Sequence, residues 1–227
     1  MPDRQLEGPL ISTNIDNPRV LPIWIIPKDY PQKSISHEEE KWANELPREK
    51  AKEYKHSRGY TRHALSNLFH TDPLQIPLNA PPGKPPLLDS KWGSISISHC
   101  NDMLLIGWSR EKIGVDIERN DRSFSYKQLA KRLYSKQAQK RLSKLNIKEI
   151  KDTLLEDWVI KEASIKYHHG SIFKDLCYWE WDKKLNIAEH KLLNFTVNTR
   201  LIKYESWIIG LAYNQQREAN LTIICRY

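Results

Sequence analysis

From Ser94 to Glu118 the chain has little freedom in how it can fold. Ser94 to Ser98 alternates Ser-Ile-Ser-Ile-Ser, which puts both isoleucines on one face of an extended strand. Asn101-Asp102 supplies a turn, Met103 to Trp108 returns, and a second turn at Arg110 to Lys112 leads into a third strand, Ile113 to Ile117. Connections this short join antiparallel strands, because parallel neighbours need a crossover of roughly a dozen residues or more. On either side the period changes. Val20 to Pro27 (VLPIWIIP) predicts a buried strand, and Ser34 to Phe69 predicts helix through Trp42, Leu46, Ala51, Tyr54, Leu65 and Leu68. Gln75 to Leu87 holds five prolines and a glycine and predicts loop. Ser123 to Ser143 is basic and helical, and Leu154 to Tyr167 is an amphipathic helix. Strand-like alternation follows at Cys177 to Trp181, Phe195 to Arg200, Ser206 to Tyr213 and Leu221 to Arg226, with connections suited to antiparallel meanders. The pattern is α+β rather than a doubly wound parallel sheet. Residues 1–19 are polar and aperiodic and predict a surface arm.

Length allows one domain or two small halves in 227 residues. Eight Trp and ten Tyr exclude a disordered chain, since each removes a large apolar area from water. A mean hydropathy of −0.67 and a longest apolar run of only Val20 to Ile26 exclude a membrane span, which needs about 20 residues. The opening MPDRQLEGPL lacks the apolar core of a secretory signal, so a soluble, cytoplasmic protein is expected. Cys100, Cys177 and Cys225 have no paired spacing and predict reduced thiols. The net charge of +8 implies an acidic partner without choosing among nucleic acid, membrane surface, phosphorylated metabolite and acidic protein.

Four groups of residues have the chemistry of a site. In Gly114-Val-Asp116-Ile-Glu118 the two carboxylates share one strand face and repel each other unless a cation joins them or one takes a proton. Oxygen donors with room for water suit Mg²⁺. Taken alone, such a pair is more often the solvent face of a half-buried strand. In Trp158-Val-Ile-Lys161-Glu162-Ala-Ser-Ile-Lys166 the named positions form one helical stripe; the plain alternative is an i,i+4 salt bridge beside a core tryptophan. Lys50, Lys55, Arg58 and Arg62 on the early helix, with Lys84 in the proline-rich loop, form a basic face suited to phosphate or merely solvated. Ser98-His99 ends the Ser/Ile strand, where both side chains can donate to phosphate oxygens.

In order and spacing together, these groups resemble the 4′-phosphopantetheinyl transferases of the surfactin type. Gly114 to Glu118 is similar to that family's G-[IV]-D-[IV]-E motif, and Trp158 to Lys166 to its W-x-x-K-E-[AS]-x-x-K helix at every defining position. Leu129 to Ser135, Gly83-Lys84-Pro85 and Ser98-His99 stand in the family's order, with Cys100 where the family's S-H-S has a second serine.

The resemblance implies two similar α+β halves, a pseudo-dimeric fold within one monomeric chain, with the active site in the cleft between residues 1–110 and residues 111–227. It implies transfer of the phosphopantetheine arm of coenzyme A to a serine of an acyl or peptidyl carrier protein, with release of adenosine 3′,5′-bisphosphate. Asp116, Glu118 and Glu162 would hold Mg²⁺, with Glu162 as base, Lys166 at the departing phosphate and Asp116 completing the catalytic set. Lys50, Arg58, Arg62, Lys84, Ser98, His99, Lys161 and Lys166 would bind coenzyme A. The basic segment Arg119 to Lys144 would receive the acidic carrier. Two competitors explain less. A nucleic-acid-binding module leaves the three carboxylates without purpose, and a Mg²⁺-dependent nuclease or phosphotransferase would act without a carrier.

Overall fold

The computed structural model describes residues 20–214 and 221–226, the last six by backbone alone. The expected arm at residues 1–19 and the side chain of Cys225 lie outside the described residues. The strands are β1 (Val20–Pro27), β2 (Leu78–Asn79), β3 (Leu87–Leu88), β4 (Ser94–Cys100), β5 (Met103–Ser109), β6 (Ile113–Arg119), β7 (Trp179–Asp182), β8 (Ile187–His190), β9 (Phe195–Tyr204), β10 (Trp207–Tyr213) and β11 (Leu221–Arg226). The helices are α1 (His37–Asn44), α2 (Arg48–Phe69), α3 (Tyr126–Leu133), α4 (Lys136–Leu142), α5 (Ile147–His168) and α6 (Ile172–Asp175). The architecture is mixed α+β. No helix among the described residues is long and apolar enough to cross a membrane.

The chain divides into two compact units: Met1–Ile97 with Asn101–Arg110 and Gln216–Tyr227, and Ser98–Cys100 with Glu111–Gln215. The expected halves, 1–110 and 111–227, differ from these in two places. The last three residues of β4 group with the second unit. In the other direction β11, expected in an antiparallel meander, runs parallel to β1 with Val20 opposite Leu221, and so joins the first unit.

In the first unit the strand order is β11-β1-β5-β4. The helical stretch predicted over 34–69 is two helices, because Pro47 cannot continue α1 and serves as the N-cap of α2. Ser36 and Glu39 cap α1 reciprocally. Helix α2 buries Tyr60, Ala64, Leu65 and Leu68 against Trp24, Ile26, Leu104, Ile106 and Trp108. The proline-rich segment is loop apart from the two-residue pair β2–β3.

The second unit is a five-stranded antiparallel sheet, β6-β10-β9-β8-β7, under α5. Helix α5 begins two turns before the predicted Leu154, set by an Asn146/Glu149 capping box, and ends at His169 in the left-handed conformation (φ 56°). Leu154, Leu155, Val159, Ile160 and Ala163 pack with Trp179, Ala188, Val197, Ile208 and Ala212. The basic stretch 123–143 is two helices, broken at Tyr134 and recapped by Ser135.

Candidate active site

Helix α5 sits on β6 and β10 at two glycines. A methyl group on Gly114 would stand 1.9 Å from the Ala163 carbonyl oxygen, and one on Gly210 2.4 Å from that of Val159. Gly210 lies opposite Asp116 in the β6–β10 register, and Gly114 is two residues from Asp116 on the same strand. The missing side chains therefore bring the helix backbone down onto the strand face that carries Asp116. This changes the reading of β6. Asp116 and Glu118 do not line a solvent face: Asp116 is 3% exposed, as enclosed as Val115 and Ile117 on the opposite face.

Around these carboxylates the donors are paired in register. Ser98 Oγ donates to Asp116 Oδ1 at 2.6 Å, and Lys166 Nζ donates to the same oxygen at 2.7 Å. Two residues along β4, the Cys100 thiol donates to Glu118 Oε2 at 3.2 Å, and Arg122 closes a salt bridge on Glu118 Oε1. Asp116 Oδ2 is buried without a hydrogen-bond partner. Burial, reinforced by the Asp116 charge, raises the pKa of Glu118 above the usual carboxylate range; Arg122 and Cys100 oppose the shift. For Glu162 burial is again the first cause and the Asp116 charge the second, and the carboxyl is pushed up to about 8 despite Lys166. Burial raises the Cys100 thiol to about 12, so it is a protonated donor at neutral pH.

Three carboxylates, of which the Asp116 charge raises the pKa of the other two and Asp116 itself has an orphaned buried oxygen, have the charge and the hard oxygen donors that suit a small divalent cation. They are not drawn into a ready-made cage: among the described residues no three His, Cys, Asp or Glu side chains stand at metal-holding spacing. The ammonium of Lys166 supplies the positive charge at Asp116 Oδ1.

Other expected site residues lie elsewhere, and three have different tasks. Arg62 is buried in the first unit, where its guanidinium meets Glu39 at 2.7 Å and donates to the carbonyls of Pro73, Ile76 and Leu78. Arg58 donates to the Ala80 carbonyl at 3.0 Å and stacks on Tyr54. Both pin the segment after α2 to that helix, so their expected role on phosphate gives way to an internal one. Lys161 is 2% exposed and donates to the Leu133 carbonyl at 2.7 Å, which removes it from a phosphate-facing surface. The stripe read along α5 counted spacing alone, and residues 161 and 162 diverge by about 100° around a helix. Lys50 is exposed beside Glu53, and Lys84 and His99 are exposed. Trp158 is half-buried, with Arg122 and Arg132 over its ring. Sequence reasoning gave no site role to Cys100 or Gly210, and placed Arg122 in the carrier-receiving segment rather than beside Glu118. A glycine inside a strand marks close backbone approach and was the available signal.

Residues 112–221 match the family model of the 4′-phosphopantetheinyl transferase superfamily. This stretch spans β6, α3 to α6 and the rest of the second sheet, and it carries Asp116, Glu118, Glu162 and Lys166 together. The match supports a transferase that handles phosphopantetheine, with coenzyme A and a carrier protein as the partners such a reaction requires. A search of curated proteins returned no match.

Proposed function

We propose that this protein transfers the phosphopantetheine arm of coenzyme A to a serine of an acyl or peptidyl carrier protein, in the manner of the surfactin-type enzymes. The observation that carries the reading is the cluster of buried Asp116 and Glu162 with partly buried Glu118 and Lys166, standing within the stretch matched to the superfamily. Asp116, Glu118 and Glu162 are the residues that would hold Mg²⁺, which when bound neutralises the diphosphate and aligns it for attack. Glu162 is suited to accept the serine proton, because its raised pKa brings it near neutral pH, where a general base works best. Lys166, one turn further along α5, supplies positive charge beside the oxygen that leaves. Ser98 holds Asp116 in place, and exposed His99, Lys50 and Lys84 are the groups we assign to the phosphates of coenzyme A. The basic segment Arg119 to Lys144 receives the acidic carrier. The same reading assigns the protein to the cytoplasm, as a single chain of two similar halves.

Intact-mass spectrometry of an apo carrier protein, incubated with this protein, coenzyme A and Mg²⁺, tests the proposal. We expect a gain of one phosphopantetheine arm that is abolished by EDTA and by Glu162→Gln. Coenzyme A hydrolysis without carrier modification, or no coenzyme A binding by the folded protein, overturns it.

A further inference from the structure

The residue before Glu162 has no part in the carboxylate cluster, yet it is among the most deeply buried side chains of the protein. Lys161 donates to the Leu133 carbonyl at 2.7 Å and stands 5.3 Å from the centre of the Tyr134 ring. One turn earlier on α5, Asp157 accepts a hydrogen bond from the Tyr134 hydroxyl. From the other side Gln139 of α4 donates to the Tyr134 carbonyl at 2.9 Å, and the Tyr134 N–H donates to Ala130 at 3.0 Å. Leu133 and Tyr134 are the joint at which α3 stops and α4 starts. Two residues of α5, spaced i and i+4, therefore grip that joint by its backbone and by its ring.

Such an arrangement is costly. An ammonium removed from water needs strong partners, and a carbonyl with an aromatic face is a weaker pair than a carboxylate. Burial lowers the pKa of Lys161, while the Asp157 charge offsets part of the shift. A leucine would fill the space, but it could not hold the carbonyl of Leu133, which as the last residue of α3 lacks an intrahelical partner.

We propose that Lys161 is a positioning residue that fixes the α3–α4 joint, and with it the basic segment Arg119 to Lys144, to the helix that carries Glu162. The inference rests on reading that segment as the carrier-binding surface. Consecutive residues of one helix then serve the two partners of the reaction: Glu162 faces the carboxylate cluster, while Lys161 sets the surface on which the carrier lands. Displacement of the joint is felt one residue from the base.

Hydrogen exchange on the full chain, compared among wild type, Lys161→Met and Tyr134→Phe, reads the strut directly, and calorimetry with coenzyme A reads the competing phosphate role. Lys161→Met keeps the length of the side chain without its charge; Tyr134→Phe removes only the hydroxyl and carries the test if the first variant does not fold. We expect amides of α3 and α4 to exchange about tenfold faster in both variants. Affinity for coenzyme A should stay within about twofold, and KM for the carrier should rise roughly fivefold with a smaller change in kcat. Unaltered exchange overturns the strut, and a fall in coenzyme A affinity with unaltered exchange returns Lys161 to the phosphates. If the wild type neither binds coenzyme A nor modifies a carrier, the proposed function fails, while the exchange data still decide the role of Lys161.

Discussion

Gly114→Ala tests how α5 is seated. In an open strand this exchange favours folding by about 0.5–1 kcal/mol, because alanine gives up less conformational freedom than glycine. Here the new methyl group would stand 1.9 Å from the Ala163 oxygen, 2.5 Å from the Tyr167 nitrogen and 3.0 Å from the Ala163 carbonyl carbon. All three are helix backbone, so no side chain can swing aside. Restoring ordinary contact requires α5 to withdraw by about 1.5 Å. Overpacking of this kind costs about 1–3 kcal/mol, which exceeds the intrinsic gain, so the net effect is destabilising. The same withdrawal lengthens the 2.7 Å contact between Lys166 and Asp116 beyond hydrogen-bond range and carries Glu162 with it. Misplacement of reacting groups by an ångström lowers rates by about a hundredfold. Urea denaturation gives the first quantity and the initial rate of carrier modification the second. Gly210→Ala, with its methyl group 2.4 Å from the Val159 oxygen, should act in the same direction. A Gly114→Ala protein as stable as wild type or more so, working at full rate, would refute the seating of α5 on this glycine.

Three further perturbations have definite signs. Because the Glu162 carboxyl is pushed up to about 8 in the folded protein from its ordinary value of 4.5, the folded state holds its proton after the unfolded chain has released it. Its contribution is full below the unfolded value and is lost as pH rises towards 8. Stability should therefore fall by a few kcal/mol across that window, and Glu162→Gln should flatten the profile; parallel profiles would contradict the shift. Arg62→Met leaves the Glu39 carboxyl buried without its ion-pair partner, so unfolding free energy should drop by about 3–5 kcal/mol. Lost coenzyme A affinity at unchanged stability would instead make Arg62 a ligand. Cys100→Ala removes the donor on Glu118 Oε2 and should weaken Mn²⁺ binding, followed by electron paramagnetic resonance, by roughly tenfold, whereas Cys100→Ser should retain it. Equal affinity in all three proteins would deny Cys100 a part in holding Glu118.

Local chemistry made much of this protein legible before its structure. Alternation and the Asn101-Asp102 turn announced β4, β5 and β6, because side-chain period and turn residues act over a few positions. The spacing of Asp116, Glu118, Glu162 and Lys166 was readable for the same reason. Strand β8 was not, since Ile187-Ala-Glu-His190 is too short and polar to stand out and exists by pairing with β7 and β9. Nor was the parallel pairing of β11 with β1, which joins distant ends of the chain. Tertiary structure alone decided which charges turn inward. Arg58, Arg62 and Lys161 look in sequence like any cations on a basic helix, but carbonyls brought from 11 to 28 residues away hold them inside. Asp116 is buried rather than exposed because Gly114 and Gly210, remote in sequence and adjacent in register, let a helix close over it. Sequence determines which face a side chain takes on its own element; what covers that face depends on contacts between elements, where one missing methyl group moves a helix by more than an ångström.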